Sequence, residues 1–467
     1  MSGNDLIIND PVYGFTAIPK GLLTEIVNHP FFQRLGRIRQ LGMASTVYPS
    51  AVHTRKQHSI GAFHLMNEAL KVLSSKGQFI FDSEAEAALA AILLHDIGHG
   101  PYSHVLEHSL IHGGGTHEDI TLIMMKRINE EMHGALNLAI QVFEGKYPKR
   151  FLHELICSQL DTDRLDYLCR DSFFTGVREG NIGAARIIKT IDVADDHLVV
   201  ESKGIYSIEN YLLARRIMYW QVYLHKTVVA AEEQLRSALK RAHFLLLNGH
   251  DLPATPALSY FLKNEIDVNR IAEDTEALMN YAMLDDSDII SSIKSWQNSD
   301  DIILRTLSEG FINRHLFKAE VYYGDIPDGA IDEYADKTAR KLGISKADTE
   351  YFVTKRNVSA QLYSYTSEKI GILCKGGEVV DVSAISSIIG NEPAIGSNDD
   401  VSNSNDKAYN LNYKACSSND EAYNSNGKAY NLNYKACSSN DKASNSNDKI
   451  CLRLSDTKHY LCHIKGL

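Results

Sequence analysis

The sequence predicts a mainly α-helical protein that carries a small α+β lobe near its C-terminus. Two patterns lead to this fold class. Apolar residues recur at helical spacing through most of the segment from 20 to about 320, and runs of β-branched and aromatic residues typical of strands follow it. The chain has 467 residues and is 44% hydrophobic, so it can build a sizeable core.

The helical segment is expected to divide at capping and breaking residues. Helical spacing runs from Thr24 to Met43, and Ser83 is placed to cap a helix that ends near Gly98. Further helices are predicted over 116–133, 150–171, 207–247 and 270–297. A β-hairpin is predicted over 188–208, where β-branched runs flank an Ala-Asp-Asp turn.

Four segments follow from changes in composition. We expect a helical domain over 1–315, an α+β lobe over 316–396, an insertion over 397–448 and a final strand of the lobe over 449–467. Within the lobe, a helix is predicted over 331–343 and strands over 316–323, 351–364 and 370–386.

The insertion has a distinctive composition. Asn, Ser and Asp make up 29 of its 52 residues, and such a segment cannot bury enough apolar surface to offset chain entropy. The unit KAYNLNYKACSSND occurs at 407–420 and again at 428–441, but two copies of a polar unit leave little core for a solenoid. We therefore expect a disordered, duplicated segment.

Charge and cysteine content limit the class of protein. With 48 Lys and Arg against 59 Asp and Glu, the net charge is −11, which argues against nucleic acid as the main partner but permits a local basic pocket. No apolar stretch approaches 18 residues, so no membrane span is expected. The N-terminus lacks a secretory signal, and the seven cysteines include no CxxC pair, so we expect a cytoplasmic protein with reduced thiols.

Histidines are concentrated in one short part of the chain. Nine of the 19 lie between residues 53 and 117, at positions 53, 58, 64, 95, 99, 104, 108, 112 and 117. Histidine is the commonest metal ligand and titrates near neutral pH, so the cluster indicates chemistry. Ordinary surface or core positions remain the alternative for any one of them considered alone.

The string HDIGHGPYSH (95–104) places polar groups at the end of an apolar helix. His95 and Asp96 are adjacent there, and an imidazole and a carboxylate at a helix end can both turn toward one divalent cation. Two glycines let the backbone approach a ligand closely, with His99 and His104 beside them.

The string LDTDRLDYLCRD (160–171) supplies charged groups on a predicted helix. Asp163, Tyr167 and Arg170 share one face at positions i, i+4 and i+7, whereas Arg164, Tyr167 and Asp171 line an adjacent strip. Asp161 and Asp163 are two residues apart and diverge, so we expect only one of them to meet a metal. The alternative is a solvated helix held by salt bridges.

A further helix face could bind a nucleotide. Arg215, Tyr219, Tyr223 and Lys226 follow at helical spacing, so a cation could hold phosphate at one end while the aromatic rings stack on a sugar or base. The alternative is an aromatic stripe within the core, with Arg215 at its rim.

These strings together resemble a known family. NDPVYG (9–14), FFQRLGRIRQLG (31–42), HTRKQHSIG (53–61), HDIGHGPYSH and DTDRLDYLCRD are similar to the HD-domain metal-dependent phosphohydrolase superfamily. The nearest likeness is to the deoxynucleoside triphosphate triphosphohydrolase branch, which includes the sterile-alpha-motif HD-domain enzyme and bacterial members without that motif. The resemblance covers about residues 5 to 325 and implies an HD-domain helical core.

The resemblance implies a role for each matching position. The metal ligands would be His58, His95, Asp96 and Asp163, holding a divalent ion such as Mn, Fe, Zn or Mg. The catalytic residues would be His104, Glu107 and His117, with one histidine as the general acid on the leaving 5′-oxygen. The substrate contacts would be Gln40, Leu41, Arg55, His99, Arg164, Tyr167, Asp171, Arg215, Tyr219 and Tyr223. In this set the basic side chains would hold phosphate, and Tyr167 and Asp171 would read the 3′-hydroxyl.

The sequence also departs from the family at several positions. Asn28 and Gly36 stand where activated members carry an acidic residue and an arginine that contact a guanine nucleotide. Arg314 and Lys318 do resemble contacts to the activator phosphates, so a nucleotide activator is implied. The family likeness by itself implies a homodimer or homotetramer. Tyr219 replaces a histidine common in the branch.

The leading hypothesis is a metal-dependent dNTP triphosphohydrolase that releases deoxynucleoside and inorganic triphosphate, with dGTP among its substrates. One alternative is an HD phosphohydrolase of another specificity, for a nucleoside monophosphate, a cyclic dinucleotide or a guanosine polyphosphate. The other is a nucleotide-binding regulator without turnover. The complete set of metal and catalytic positions favours an enzyme over the regulator.

Overall fold

Helices form most of the structure, a computed structural model that describes residues 5–103, 109–361, 363, 369–386, 388–389 and 455–466. The α-helices are α1 (Leu22–Asn28), α2 (Pro30–Arg34), α3 (Arg55–Ser75), α4 (Asp82–Leu94), α5 (His117–Glu131), α6 (Asn137–Phe143), α7 (Arg150–Glu154), α8 (Thr162–Thr175), α9 (Ala184–Thr190), α10 (Ile205–Met218), α11 (Lys226–Leu247), α12 (Pro256–Lys263), α13 (Val268–Glu273), α14 (Thr275–Met283), α15 (Asp286–Trp296), α16 (Ile302–Ile312), α17 (Ala330–Leu342) and α18 (Val382–Ile385). The strands are β1 (Leu6–Asp10), β2 (Gly14–Ile18), β3 (Ile111–His112), β4 (Ile191–Ala194), β5 (His197–Glu201), β6 (Ile266–Asp267), β7 (Lys318–Tyr322), β8 (Thr354–Gln361), β9 (Gly371–Leu373), β10 (Val379–Asp381) and β11 (Ser455–His463). The predicted fold class, a mainly α protein with an HD-like helical core and small α+β elements, is confirmed.

The helical core is built around α3, α4 and α8. Alanine and leucine fill α4, and its residues from Ala87 to Leu94 are buried on every face, as expected of a central helix. Helix α3 packs against α8 at Gly61, where a Cβ atom would lie 2.0 Å from Arg170 Nη2 and 2.1 Å from Asp166 Oδ1. Glycine at this position therefore permits the close helix crossing that supports the candidate site.

Small sheets lie around the helices. β1 and β2 form an antiparallel hairpin, and β3 pairs with β6 in parallel. A three-stranded sheet has the order β7-β11-β8, so β11 lies between two strands that precede it by about 100 residues or more. The predicted hairpin is present as β4 and β5, and it extends into a four-stranded sheet with the order β10-β9-β5-β4.

The strands predicted for one lobe are therefore divided between two sheets. β9 runs parallel to β5, with Val199 opposite Gly371, and does not join β7, β8 or β11. A Cβ atom at Gly371 would lie only 3.1 Å from Val199 Cγ1, so the glycine makes this pairing close. The expected segment boundaries at 315 and 396 stay predictions, and the insertion over 397–448 lies outside the described residues.

Two predictions about helix starts are wrong. The stretch from Thr24 to Met43 is two short helices and 3₁₀ turns, because Pro30 forces the preceding His29 into extended backbone and starts a new helix. Ser83 lies inside the first turn of α4, and the cap residue is Phe81, whose N–H donates to Glu84 Oε2 over 2.8 Å.

Three long predicted helices are also interrupted. Between α7 and α8 the chain leaves helical geometry, and Asp161 caps α8. The stretch over 207–247 contains a π-helical turn, Tyr219–Tyr223, after which His225 caps α11. The stretch over 270–297 divides into α13, α14 and α15 at the caps Asp274 and Asp285, because acidic side chains satisfy the first N–H groups of each helix. Among the described residues, no helix combines the length and the apolar character that a membrane crossing requires.

Candidate metal centre and active site

Three predicted metal ligands meet at one point in the core. His58 lies in the first turn of α3, His95 caps the C-terminus of α4, and Asp163 lies in the first turn of α8. His58 Nε2 is 3.2 Å from His95 Nε2 and 2.9 Å from Asp163 Oδ1, and His95 Nε2 is 3.5 Å from that oxygen. Among the described residues, these three side chains form a group that could hold a metal ion. We call His58, His95 and Asp163 the metal cluster, meaning the group of candidate ligands.

The hydrogen bonds of the two histidines suit metal binding. His95 Nδ1 lies 2.7 Å from the carbonyl oxygen of Ile92, which can only accept, so Nδ1 donates and Nε2 carries the lone pair. His58 Nδ1 lies 2.7 Å from Asp166 Oδ2, and that bond orients the second ring in the same way. When both rings are neutral, two nitrogen lone pairs and one carboxylate oxygen converge in a buried space, an arrangement that a divalent cation stabilises.

The electrostatics of the cluster favour positive charge. Burial lowers the pKa of His58, but hydrogen bonds to Asp163 and Asp166 outweigh it and raise the pKa to about 10. Burial raises the pKa of Asp163, but the bonds to His58 and His95 outweigh it and hold this pKa far below its usual value. The site is therefore built to hold a cation, and protons compete with a metal for it.

Asp96, the fourth predicted ligand, lies at the edge of the cluster. Its Oδ1 is 3.4 Å from His95 Nε2 and its Oδ2 is 3.8 Å from His58 Nε2. Burial raises the pKa of Asp96, but His95 and then Arg55 outweigh it and hold the pKa well below normal. Asp96 is thus an ionised carboxylate beside the converging donors, and its role as a ligand stays a prediction.

The Gly-rich loop after α4 is fixed by α5. Thr121 Oγ1 donates to the carbonyl of His95 and accepts from the N–H of Gly98, both over 3.0 Å. A Cβ atom at Gly98 would lie 2.2 Å from the carbonyl oxygen of His117, so only glycine allows this approach. The loop and the first turn of α5 therefore bring His99 and His117 together.

His99 and His117 stack next to the cluster. Their ring centroids are 3.7 Å apart, and His99 Nε2 is 3.3 Å from Asp96 Oδ1. Burial, followed by the charge of Arg55, lowers the pKa of His99 to about 4, so its ring is neutral at pH 7. The predicted catalytic residues His104 and Glu107 lie outside the described residues.

Two of the three arginines predicted to hold phosphate, Arg55 and Arg164, have defined partners. Arg55 Nη1 donates to Asp96 Oδ2 over 2.6 Å, and its Nη2 donates to Ser103 Oγ over 2.7 Å. Arg164 Nε donates to the carbonyl of Ser158 over 2.6 Å and also contacts Asp161. The Arg55 guanidinium is thereby fixed against Asp96 at the edge of the cluster, and the Arg164 guanidinium is fixed at the start of α8, the helix that carries Asp163.

Two acidic residues near the start of α8 have different roles. Asp161 Oδ1 accepts from the N–H of Arg164 over 2.7 Å and caps the helix, whereas Asp163 faces the histidines. Asp166 and Asp171 are buried. The helix does contain salt bridges, such as that between Arg170 and Asp166, but this pair is buried, so the interpretation of the segment as a solvated helix is excluded.

A row of aromatic rings leads away from the metal cluster. The ring centroids of His58 and Tyr167 are 6.5 Å apart, those of Tyr167 and Tyr223 6.1 Å, and those of Tyr223 and Tyr219 5.9 Å. Burial raises the pKa of Tyr167, and the charges of Arg164 and then Arg215 oppose that rise. Arg215 is therefore close to the row.

The predicted single helix face is interrupted at its end. Tyr219 and Tyr223 lie in the π-helical turn, and Lys226 begins α11 beyond the break, so Lys226 does not continue the face. Tyr167, Tyr219 and Tyr223 are only partly buried, unlike a sealed core stripe. π-Helical turns occur often at functional sites because they widen the helix locally.

Two of the predicted sugar-binding residues, Gln40 and Leu41, line a small cavity of about 80 Å³ together with Tyr223. Asp171 is buried close to it, and its two oxygens accept from His53 Nε2 over 2.7 Å and from the Tyr223 hydroxyl over 2.9 Å. Asp171 is thus held in one orientation by two donors.

The positions expected to contact an activator lie on four different parts of the fold. Arg314 Nη2 donates to the carbonyl of Thr46 over 3.0 Å, and Lys318 Nζ donates to Glu320 Oε1 over 2.7 Å. Asn28 ends α1, and Gly36 lies in the 3₁₀ turn after α2. An activator site at these positions stays a prediction.

The sequence placed Arg170 on the face of Asp163 and His53 among the clustered histidines, but it assigned no supporting role to Asp166, Arg170 or His53. Asp166 orients His58, and Arg170 binds Asp166 through two nitrogens at 2.9 and 3.0 Å. The sequence signal for Asp166 and Arg170 was their position, three and seven residues after Asp163 on the same helix. The bond between His53 and Asp171 joins residues 118 positions apart and leaves no such signal.

Comparison with known proteins agrees with this geometry. The family model of the HD domain matches residues 55–171, and that of the HD associated region matches residues 182–247. The uncharacterized protein YwfO of Bacillus subtilis is 31% identical over 82% of this chain and 88% of its own length. A protein of Dictyostelium discoideum named deoxynucleoside triphosphate triphosphohydrolase SAMHD1 homolog is 31% identical over 50% of this chain and 49% of its length.

Solved structures include a close match. The crystal structure of a phosphohydrolase from Bacteroides thetaiotaomicron superimposes with a TM-score of 0.83 at 47% identity and covers 98% of this chain and 100% of that one. The motifs, the converging histidine and aspartate ligands and these matches agree. The chain therefore belongs to the HD-domain phosphohydrolase superfamily, in the branch that resembles the deoxynucleoside triphosphate triphosphohydrolases.

Proposed function

We propose that the protein is a metal-dependent dNTP triphosphohydrolase, which hydrolyses a dNTP, with dGTP among its substrates, to deoxynucleoside and inorganic triphosphate. One observation carries this proposal. A row of three tyrosine rings begins at the metal-binding His58 and ends beside the helix that carries Arg215. Such a row offers stacking surface for a nucleoside at a site that also binds phosphate.

The donor set suits a divalent cation held by His58, His95 and Asp163, with Asp96 as a fourth ligand. When bound, the metal would polarise the phosphate and lower the pKa of a water molecule. The proposed ion is Mn, Fe, Zn or Mg: imidazole nitrogens suit Fe and Zn, and carboxylate oxygens suit Mn and Mg.

The residues around the cluster would orient and protonate the substrate. Arg55 is bonded to Asp96, and Arg164 follows Asp163 in the first turn of α8; their cationic forks would hold phosphate oxygens. His117 stacks on His99 with about a quarter of its side chain exposed, so it can exchange a proton with the leaving 5′-oxygen. His104 and Glu107 are assigned to the same step by resemblance alone.

The other side of the site would bind the deoxynucleoside. Asp171, held by His53 and Tyr223, would accept a hydrogen bond from the 3′-hydroxyl, while Gln40 and Leu41 close the sugar pocket. Tyr167 lies between the metal cluster and Tyr223, where its ring would exclude a 2′-hydroxyl. A nucleotide activator near Arg314 and Lys318, and assembly into a homodimer or homotetramer, belong to the same proposal.

A product assay tests the proposal. The purified protein is incubated with Mn²⁺ and each of the four dNTPs, alone and in pairs, and the products are separated by chromatography. We expect deoxynucleoside and triphosphate, with no monophosphate intermediate, and little product from the matching ribonucleotides. Stimulation by a second dNTP would support an activator site. Activity on monophosphates or cyclic dinucleotides, without activity on dNTPs, would refute the proposal in favour of another HD phosphohydrolase.

A further inference from the structure

The N-terminal hairpin, formed by β1 and β2, presents a buried carboxylate to the helical core. Asp10 ends β1 and is only 4% exposed. Its Oδ1 accepts from the N–H groups of Val12 and Tyr13 over 2.8 and 3.0 Å and so shapes the turn. These bonds leave Oδ2 available for the core.

The second oxygen of Asp10 binds an arginine on α8. Arg170 Nη1 donates to Asp10 Oδ2 over 2.8 Å, and the arginine is completely buried. Its other nitrogens bind both oxygens of Asp166. One guanidinium is therefore shared between a carboxylate of the hairpin and one of the core.

Asp166 carries the connection to the metal cluster, because its Oδ2 accepts from His58 Nδ1 over 2.7 Å. Asp10, Arg170, Asp166 and His58 thus form one continuous, buried series of charge-assisted hydrogen bonds. The series crosses 160 positions of sequence, from Asp10 to Arg170.

We propose that Asp10 is a positioning residue for the metal ligand His58, so that the N-terminal hairpin supports the metal centre through this one side chain. Without the charge of Asp10, the whole cation of Arg170 acts on Asp166. Asp166 then accepts less strongly from His58 Nδ1–H, and His58 Nε2 becomes a weaker donor to a metal. The proposal deepens the metal dependence of the proposed function and rests on that part of it.

The test measures Mn²⁺ binding to the metal-free, full-length protein, without nucleotide, by the electron paramagnetic resonance signal of free Mn²⁺. Asp10→Asn keeps an oxygen for the turn but removes the charge, and we expect Mn²⁺ to bind about tenfold more weakly. Asp10→Glu keeps the charge and should bind more tightly than Asp10→Asn. Thr16→Val is the matched control, because it removes only a neutral bond of 3.3 Å between the same hairpin and His64.

The result expected is weaker binding in Asp10→Asn and unchanged binding in Thr16→Val. Equal Mn²⁺ affinity in Asp10→Asn and wild type, equal weakening in Asp10→Asn and Thr16→Val, or no Mn²⁺ binding by the wild type would each overturn the proposal. Mn²⁺ binding without dNTP hydrolysis would refute the proposed function and leave this inference in place.

A second measurement uses the wild type and does not depend on the folding of a variant. Coupling between two sites is reciprocal, so Mn²⁺ should in turn stabilise the hairpin. Hydrogen exchange in the peptide over 5–18 should slow when Mn²⁺ is added. Exchange that is unchanged by saturating Mn²⁺ would contradict the connection.

Discussion

At the scale of single residues, the metal cluster depends on Asp163 facing the two histidines while Asp161 caps α8. The two carboxylates are neighbours on one helix, yet they carry out different tasks. This difference provides a matched pair of variants at almost the same place in the structure.

Asp163→Ala should weaken metal binding by more than about 100-fold and abolish turnover, because it removes one of three converging ligands. Asp161→Asn should retain the metal, since asparagine is also a good helix cap. Metal content after dialysis, measured by plasma mass spectrometry, checks both variants. Equal metal loss in the two variants would show that α8 is merely destabilised.

Tyr223→Phe should raise the KM for a dNTP by about tenfold and leave the metal content unchanged. The variant keeps the ring but removes the hydroxyl that donates to Asp171, and a bond to a charged group is worth roughly 1.5–3 kcal/mol. Tyr219→Phe, in the same π-helical turn, is the control and should change KM less. Steady-state kinetics with both variants show whether the hydrogen bond from Tyr223 orients Asp171 for substrate binding.

At this scale the sequence indicated which residues could be metal ligands, but it did not indicate which residues hold those ligands in place. His58, His95 and Asp163 were chosen by resemblance, and the structure brings their donor atoms together. Asp166 and Arg170 were not predicted to support the site, because an acidic and a basic residue four positions apart on a helix can form either a salt bridge on the surface or a buried one. Only the packing of α3 on α8 distinguishes the two.

At the scale of secondary structure elements, the crossing of α3 and α8 positions His58 opposite Asp163. Gly61→Ala places a methyl group about 2 Å from Asp166 and Arg170, so the helices must separate. We expect a loss of roughly 1–3 kcal/mol in the free energy of unfolding, together with weaker metal binding. Gly36→Ala is the control, since its new Cβ would lie 3.4 Å from Lys56 Cδ, an ordinary contact.

Chemical denaturation of the metal-free variants measures the stability change, and Mn²⁺ titration measures the effect on the site. A Gly61→Ala protein with wild-type stability and metal affinity would show that the crossing tolerates a side chain.

The sequence predicted most elements but not their interruptions or distant pairings. Apolar spacing continues through Asp161, Tyr219–Tyr223 and Asp274, and only local caps and a π-helical turn divide those stretches. The pairing of β9 with β5 joins segments more than 160 residues apart and depends on tertiary packing that periodicity does not record.

At the scale of the whole molecule, the residues assigned to metal, catalysis and substrate lie between positions 40 and 223. Replacing 397–448 by a flexible Gly/Ser linker should therefore leave dNTP hydrolysis within about twofold of wild type, provided that β11 is retained. β11 must stay because it pairs with both β7 and β8, and the hydroxyl of Tyr460 donates to the carbonyl of Leu224 over 2.9 Å, beside the π-helical turn.

Initial rates of the shortened and full-length proteins, measured side by side, check this expectation. A large loss of activity in a shortened protein that melts like the wild type would show that the insertion takes part in the reaction.

The bond broken during hydrolysis tests the central proposal most directly. The reaction is run with a dNTP and Mn²⁺ in water enriched in ¹⁸O, and the products are analysed by mass spectrometry. Attack of water on the α-phosphorus predicts one ¹⁸O atom in the released triphosphate and none in the deoxynucleoside. Label in orthophosphate, in pyrophosphate or in the deoxynucleoside, or no turnover of any dNTP, would contradict it.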